Sequence, residues 1–119
     1  APEAESILKE ILAKDPKHLQ ALLSLAELRV RHGGPSAGVT ELLTKAVSAH
    51  PGEPLPRLAL VGYYIGAKDP KKAVATAQDA LTAFPDQLDV LDAAGRAYTA
   101  AGDVNQALAT ARKTGEQGI

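Results

Sequence analysis

The chain contains no cysteine, no methionine and no tryptophan, and its aromatic residues amount to Tyr63, Tyr64, Tyr98 and Phe84. Without cysteine there are no disulfides and no thiol nucleophile, although cytosolic and exported proteins can both lack it. So few aromatic rings leave little on which a sugar could stack. Also missing is any run of about 18 apolar residues, the minimum for a membrane-spanning helix. Charge of one sign is not concentrated anywhere: the net charge is −1 and the pI is near 6.3. Nucleic-acid binding normally requires a basic face and a high pI, so the balance argues against it. The chain opens Ala-Pro-Glu, with neither an initiator methionine nor a signal peptide. We therefore expect a processed or excised piece of something longer.

What is abundant is alanine, with twenty-three residues. A core built from Ala and Leu needs backbones that approach closely, as packed helices do, and Ala is the strongest helix former. At 119 residues the chain is one domain in size, able to bury roughly two-thirds of its unfolded surface. Composition thus points to an all-α protein.

A repeat organises the chain. Pro16, Pro51 and Pro85 are spaced 35 and 34 apart, and the same spacing relates Gly33, Lys68 and Gly102. It also relates Ala26, Val61 and Gly95, then Arg29, Tyr64 and Tyr98, and the small residues Gly38, Ala73 and Ala107. Fixed self-similarity of this length marks a stack of like units.

Each period reads as two helices joined by a tight turn. Over 19–31 the apolar positions include the i, i+3, i+4, i+7 set of one helix face. Gly33-Gly34 supplies a stop, because glycine reaches positive φ without a Cβ penalty. Pro35 suits the first turn of the following helix, which carries Val39, Leu42, Leu43, Ala46 and Val47. The second period repeats the plan over 55–65 and 73–83. In the third, 88–101 is followed by 104–113, with Asp103 placed to cap. Ahead of these lies a lone helix bearing Ala4, Ile7, Leu8, Ile11 and Leu12 on one face. The expected organisation is seven helices: 3–14 as the orphan second helix of a preceding repeat, then repeats over 17–51, 52–85 and 86–115. A hairpin cannot bury its apolar face alone, so each unit needs its neighbours. The orphan helix should then be adhesive, with end-to-end self-association through it as a consequence.

No constellation carries chemistry. His18, His32 and His50 each fall at a helix end, at separations unlike a metal-ligand pattern on one helix. They read as solvent-facing residues, mildly favoured near helix C-termini. The serines sit in no nucleophile motif, and the glycine pairs lie in turns rather than phosphate loops. Neither a cofactor nor a metal is expected, and no enzyme activity.

The pattern resembles the tetratricopeptide repeat, in which a small residue and Tyr mark the first helix, Ala the second and Pro the exit. Gly95, Tyr98 and Ala107 fill the third repeat; Val61, Tyr64, Ala73, Ala80 and Pro85 fill the second. The first departs, with Arg29 at the Tyr position, Gly38 at the Ala position and one extra residue after it. The resemblance implies a right-handed superhelix of antiparallel hairpins whose first helices line a concave groove. Its partner-binding positions here would be Leu23, Glu27 and Val30, then Leu55, Leu58, Gly62 and Ile65, then Asp89, Asp92 and Arg96. The middle of that set is apolar and its third-repeat end acidic. Family members that grip a C-terminal carboxylate use Lys, Asn and Arg, whereas the matching places here hold Leu23, Glu27, Ala59, Asp89 and Ala93. The implied ligand is therefore a protein or a basic or neutral extended peptide, with neither nucleic acid nor membrane insertion.

A narrower resemblance rests on 56–64, Asp69-Pro70-Lys71-Lys72-Ala73, 77–81, Leu91-Asp92 and Gly95-Arg96-Ala97. These segments are similar to the long repeat lipoproteins of exosortase (PEP-CTERM) systems, which accompany exopolysaccharide export in bacteria and carry a lipid-anchored N-terminus. Two functional readings follow: an interaction scaffold with a ligand in its groove, or spacer repeats of an envelope lipoprotein with no peptide ligand. In the second, Leu58 and Ile65 serve packing alone.

Overall fold

Alanine recurs on buried helix faces and lets helices of this protein pack close, and the computed structural model describes residues 2–34 and 36–118, with side chains over 3–34 and 36–113. Seven helices and no strand occur among these residues: α1 (Pro2–Lys14), α2 (Leu19–Arg31), α3 (Ser36–Ala49), α4 (Pro54–Gly66), α5 (Pro70–Ala83), α6 (Leu88–Ala100) and α7 (Val104–Gly118). None is long and apolar enough to cross a membrane.

Two compact units divide the chain, Ala1–Pro56 and Arg57–Ile119. In the first, α2 packs against both α1 and α3. Its core joins Ala21, Leu22, Leu25 and Ala26 of α2 to Val39, Leu43 and Ala46 of α3. In the second, α6 packs against α5 and α7. One cluster there gathers Val61, Ala73, Ala77, Ala93, Ala94, Ala97 and Tyr98, with Leu58, Tyr64 and Ile65 packed on its edge. Ala73, Ala77 and Ala80 are at most 1% exposed, so the inner face of α5 is a stripe of methyl groups.

The repeat is visible in backbone hydrogen bonds. Gly34 N donates to Arg29 O, Asp69 N to Tyr64 O and Asp103 N to Tyr98 O, at 2.8–2.9 Å. One residue earlier, Gly33 N, Lys68 N and Gly102 N donate to Val30 O, Ile65 O and Thr99 O. This pair of bonds is the Schellman motif, which satisfies the last carbonyls of a helix and needs a left-handed residue at its centre. Gly33, Lys68 and Gly102 supply it, with φ of 68°, 60° and 77°. Asp69 and Asp103 then serve twice. Besides closing one helix, their carboxylates cap the next by accepting from Lys72 N at 3.3 Å and Gln106 N at 3.1 Å.

Two expectations need correction. Val39, and not Gly38, stands where Ala73 stands in the second repeat, since Val39, Leu43 and Ala46 are buried 34 residues before Ala73, Ala77 and Ala80. Gly34 and Asp69 share a turn bond 35 residues apart, so the extra residue of the first repeat falls between Gly34 and Val39 rather than after the Ala position. Pro35 itself, expected in the first turn of α3, lies outside the described residues. His32 is solvent-facing as expected, but His18 and His50 also make side-chain hydrogen bonds. His18 is the N-cap of α2, its Nδ1 accepting from Ala21 N at 3.1 Å. The His50 ring nitrogen Nε2 bonds the Lys17 carbonyl, tying the end of α3 to the α1–α2 turn.

Candidate interaction surface

The exposed face of each first helix is set by the burial of its other side. On α2, Ala21, Leu22, Leu25 and Ala26 turn inward, leaving Leu23 half-buried, Glu27 exposed and Val30 49% exposed. Glu27 and Arg31 form an ion pair one turn apart. Leu55, in the first turn of α4, is also 49% exposed.

In the second unit, α4 buries Leu60 and Val61 and presents Gly62 and Gly66 to solvent. A Cβ built on either glycine meets no atom within 4 Å, so the helix carries two open notches. Leu58 and Ile65 flank them, half-buried and packed against the unit's own core. Packing accounts for part of their apolar character, and what remains exposed borders the notches. On α6, Asp89, Asp92 and Arg96 are all exposed. Asp92 is paired with Arg96 at 3.3 Å, which leaves Asp89 without an ion-pair partner among the described residues. The acidic character of that end is thus carried by Asp89 rather than by both aspartates.

Charge pairing of this kind was readable in the sequence. Glu27 with Arg31 and Asp92 with Arg96 share the i, i+4 spacing that places side chains together on a helix. Two further features escaped the residue-by-residue reading. Arg57, with a side chain only 12% exposed, donates from Nε to Asp79 at 2.8 Å and lies 5.7 Å from the Phe84 ring centre. In the first unit, Glu5, Leu28, Arg29, His32, Gly34 and Gly38 line a depression of about 330 Å³. Glu5 approaches Arg29 there at 3.7 Å. The signal was the replacement of the repeated Tyr by Arg29, which stands where Tyr64 and Tyr98 stand and lets a charged group reach α1. No group of three or more His, Asp or Glu residues suited to a metal occurs among the described residues.

No protein-family model and no characterised protein sequence matches the chain. Solved structures do. The chain resembles MamA MSR-1 with a TM-score of 0.71 at 21% identity over 95% of its length, and MamA AMB-1 with a TM-score of 0.72 at 22% identity over 94%. It spans 64% and 61% of those two chains, less than two thirds of either. Identity at this level speaks for the fold, and MamA is a tetratricopeptide-repeat protein. With seven helices, a thrice-repeated Schellman turn and these structural neighbours, the chain has the all-α fold of tetratricopeptide-repeat proteins.

Proposed function

We propose that the protein is a non-catalytic protein-interaction scaffold that holds an extended peptide or a helix against the exposed faces of its first helices. The observation that carries this reading is the notched face of α4. Two glycines with open space above them, Gly62 and Gly66, share α4 with the partly exposed Leu58 and Ile65. A glycine inside a helix costs about 1 kcal/mol relative to alanine, and no neighbouring atom requires it at either position. A partner backbone seated in the notch supplies a reason, and the apolar borders suit its side chains. Asp89 on α6 favours a basic or neutral ligand over an acidic one. In the first unit, Leu23, Glu27 and Val30 of α2 form a face of the same kind by themselves, and Leu55 at the start of α4 is exposed as well. The tetratricopeptide fold supports a protein partner in general terms.

The finer setting, a larger bacterial protein serving exopolysaccharide or protein export, rests on the sequence resemblance to exosortase-system lipoproteins alone. The spacer alternative draws on one observation, the packing of Leu58 and Ile65 on their own core.

That packing also decides the test, because Leu58→Asp would disturb the fold along with the face. Gly62→Arg fills the notch from a position where a Cβ meets no atom within 4 Å. Cross-linking capture from source-cell extract should recover a partner with the wild-type chain and lose it with Gly62→Arg. A control substitution on another exposed face, Ser48→Arg, should retain it. Equal capture by all three variants would exclude the α4 face as the binding site, and capture by none would favour the spacer.

A further inference from the structure

Three side chains of the second repeat form a compact group: Lys72 Nζ lies 5.9 Å from the Tyr64 ring centre and 3.8 Å from the Asp69 carboxylate. All three positions change in the first repeat. Arg29 stands for Tyr64 and Gly34 for Asp69, since Gly34 N and Asp69 N donate to the carbonyls of Arg29 and Tyr64. Gly38 stands for Lys72, each lying one residue ahead of the buried Val39 or Ala73. A ring, a carboxylate and an ammonium group are thereby removed, and one guanidinium is put in. The depression of about 330 Å³ lies where these residues sit, so it is opened by side chains that the first repeat lacks. Its size is at the small end of ligand pockets, roughly 300–1,000 Å³, and its walls all belong to the first unit. Gly34 has a packing reason to be glycine, because a Cβ there would come within 3.1 Å of Arg29 O. Gly38 has none: a Cβ there would meet only Arg29 Nη1, at 3.6 Å.

The Arg29 side chain is 32% exposed and makes no hydrogen bond among the described residues. Its Nε faces Glu5 Oε1 at 3.7 Å, and that carboxylate oxygen lies equally far from Lys9 Nζ. Glu5 is therefore shared between two cations, and the guanidinium keeps charge to spare. Nη1 reaches the other way, toward the bare backbone of Gly38. A guanidinium edge left open in this manner suits the forked pairing that carboxylates make with arginine. Leu28 adds an apolar wall, against which a flat ring can lie. From this geometry we propose that the depression binds a small aromatic carboxylate, with its carboxyl group on the Arg29 Nη atoms and its ring against Leu28 and Gly38. Such a ligand returns to the first repeat the ring and the carboxylate that the second carries as Tyr64 and Asp69. The site uses no residue of α4 or α6 and no groove position, so it stands apart from the peptide-binding reading.

Titration with benzoate, followed by heteronuclear NMR of the backbone amides and of Arg29 Nε, tests it. Benzoate should shift the Gly34, Gly38 and Arg29 Nε signals saturably. Benzamide, which lacks the charge, and acetate, which lacks the ring, should each bind at least tenfold more weakly. Arg29→Lys keeps the charge but loses the fork, and should weaken benzoate at least fivefold. Gly38→Asp, at a position with room for a Cβ, places a carboxylate of the chain beside Nη1 and should abolish benzoate binding. Arg96→Gln on α6 should bind as the wild type does, and circular dichroism should show each variant folded. A wild-type chain without saturable shifts at Gly34 and Gly38 would overturn the proposal. Equal affinity for benzamide or acetate would do the same, as would undiminished benzoate binding by Gly38→Asp.

Discussion

Lys68 holds the same left-handed backbone conformation as Gly102 one repeat later, with φ of 60° against 77°. Both sit at the centre of a Schellman turn with the same hydrogen bonds, but Lys68 carries a Cβ into a region where side chains crowd the following carbonyl. The cost of that conformation is about 1–2 kcal/mol for an L-residue. Lys68→Gly should therefore stabilise the protein by about 1 kcal/mol, raising the melting temperature by roughly 4 °C for a chain of this size. Lys68→Ala isolates the backbone effect, since it removes the charge and keeps the Cβ. Thermal melts followed by circular dichroism decide it: the prediction fails if the glycine variant melts no higher than the alanine variant.

At the start of α2, His18 does the work usually given to Ser, Thr, Asp or Asn. Its Nδ1 accepts from Ala21 N and so satisfies one of the amides that a helix start leaves open. His18→Ala should cost about 1 kcal/mol, and His18→Asn, which can accept the same bond, should recover most of it. Urea denaturation of the three proteins measures this directly. If alanine and asparagine variants are equally destabilised, the imidazole matters for something other than the cap.

These two turns show what the sequence discloses and what it withholds. Because Lys68 falls in register with Gly33 and Gly102, its left-handed conformation could be read by lining up the repeats. His18 gave no such sign: histidine is an uncommon cap, and only the position of Nδ1 against Ala21 reveals the role. Gly38 misled for a physical reason. A small residue at the right distance mimics the repeated alanine, whereas burial at Val39, Leu43 and Ala46 fixes the true register. The candidate binding face divides similarly. Its helices and its apolar and acidic residues were legible from the repeat, but the pairing of Asp92 by Arg96 and the packing of Leu58 and Ile65 depend on side-chain placement.

Gly95 occupies the small-residue position of the third repeat, and pattern alone would make it indispensable. A Cβ there would lie 3.9 Å from Thr110 Cγ2, an ordinary contact, with nothing nearer. Gly95→Ala should be accommodated without strain and should stabilise α6 by about 0.5–1 kcal/mol through reduced backbone entropy. A rise in the denaturation midpoint checks it, while a fall would mean that α6 and α7 approach too closely for even a methyl group.

Ala77 presents the opposite case. It is 1% exposed, on a stripe with Ala73 and Ala80, and belongs to the cluster that joins α5 to Ala93, Ala94 and Ala97 of α6. Small residues on both faces let the two helices pack closely, so a longer side chain must push them apart. Ala77→Leu adds apolar surface that would favour folding if room existed, yet overpacking of a close-packed core costs about 1–3 kcal/mol. The net effect should be destabilising, and Ala75→Leu on the exposed face of the same helix should lie within about 0.5 kcal/mol of wild type. Comparing their melts separates helix propensity from packing. Were Ala77→Leu as stable as Ala75→Leu, the alanine stripe could not be what sets the spacing of α5 and α6.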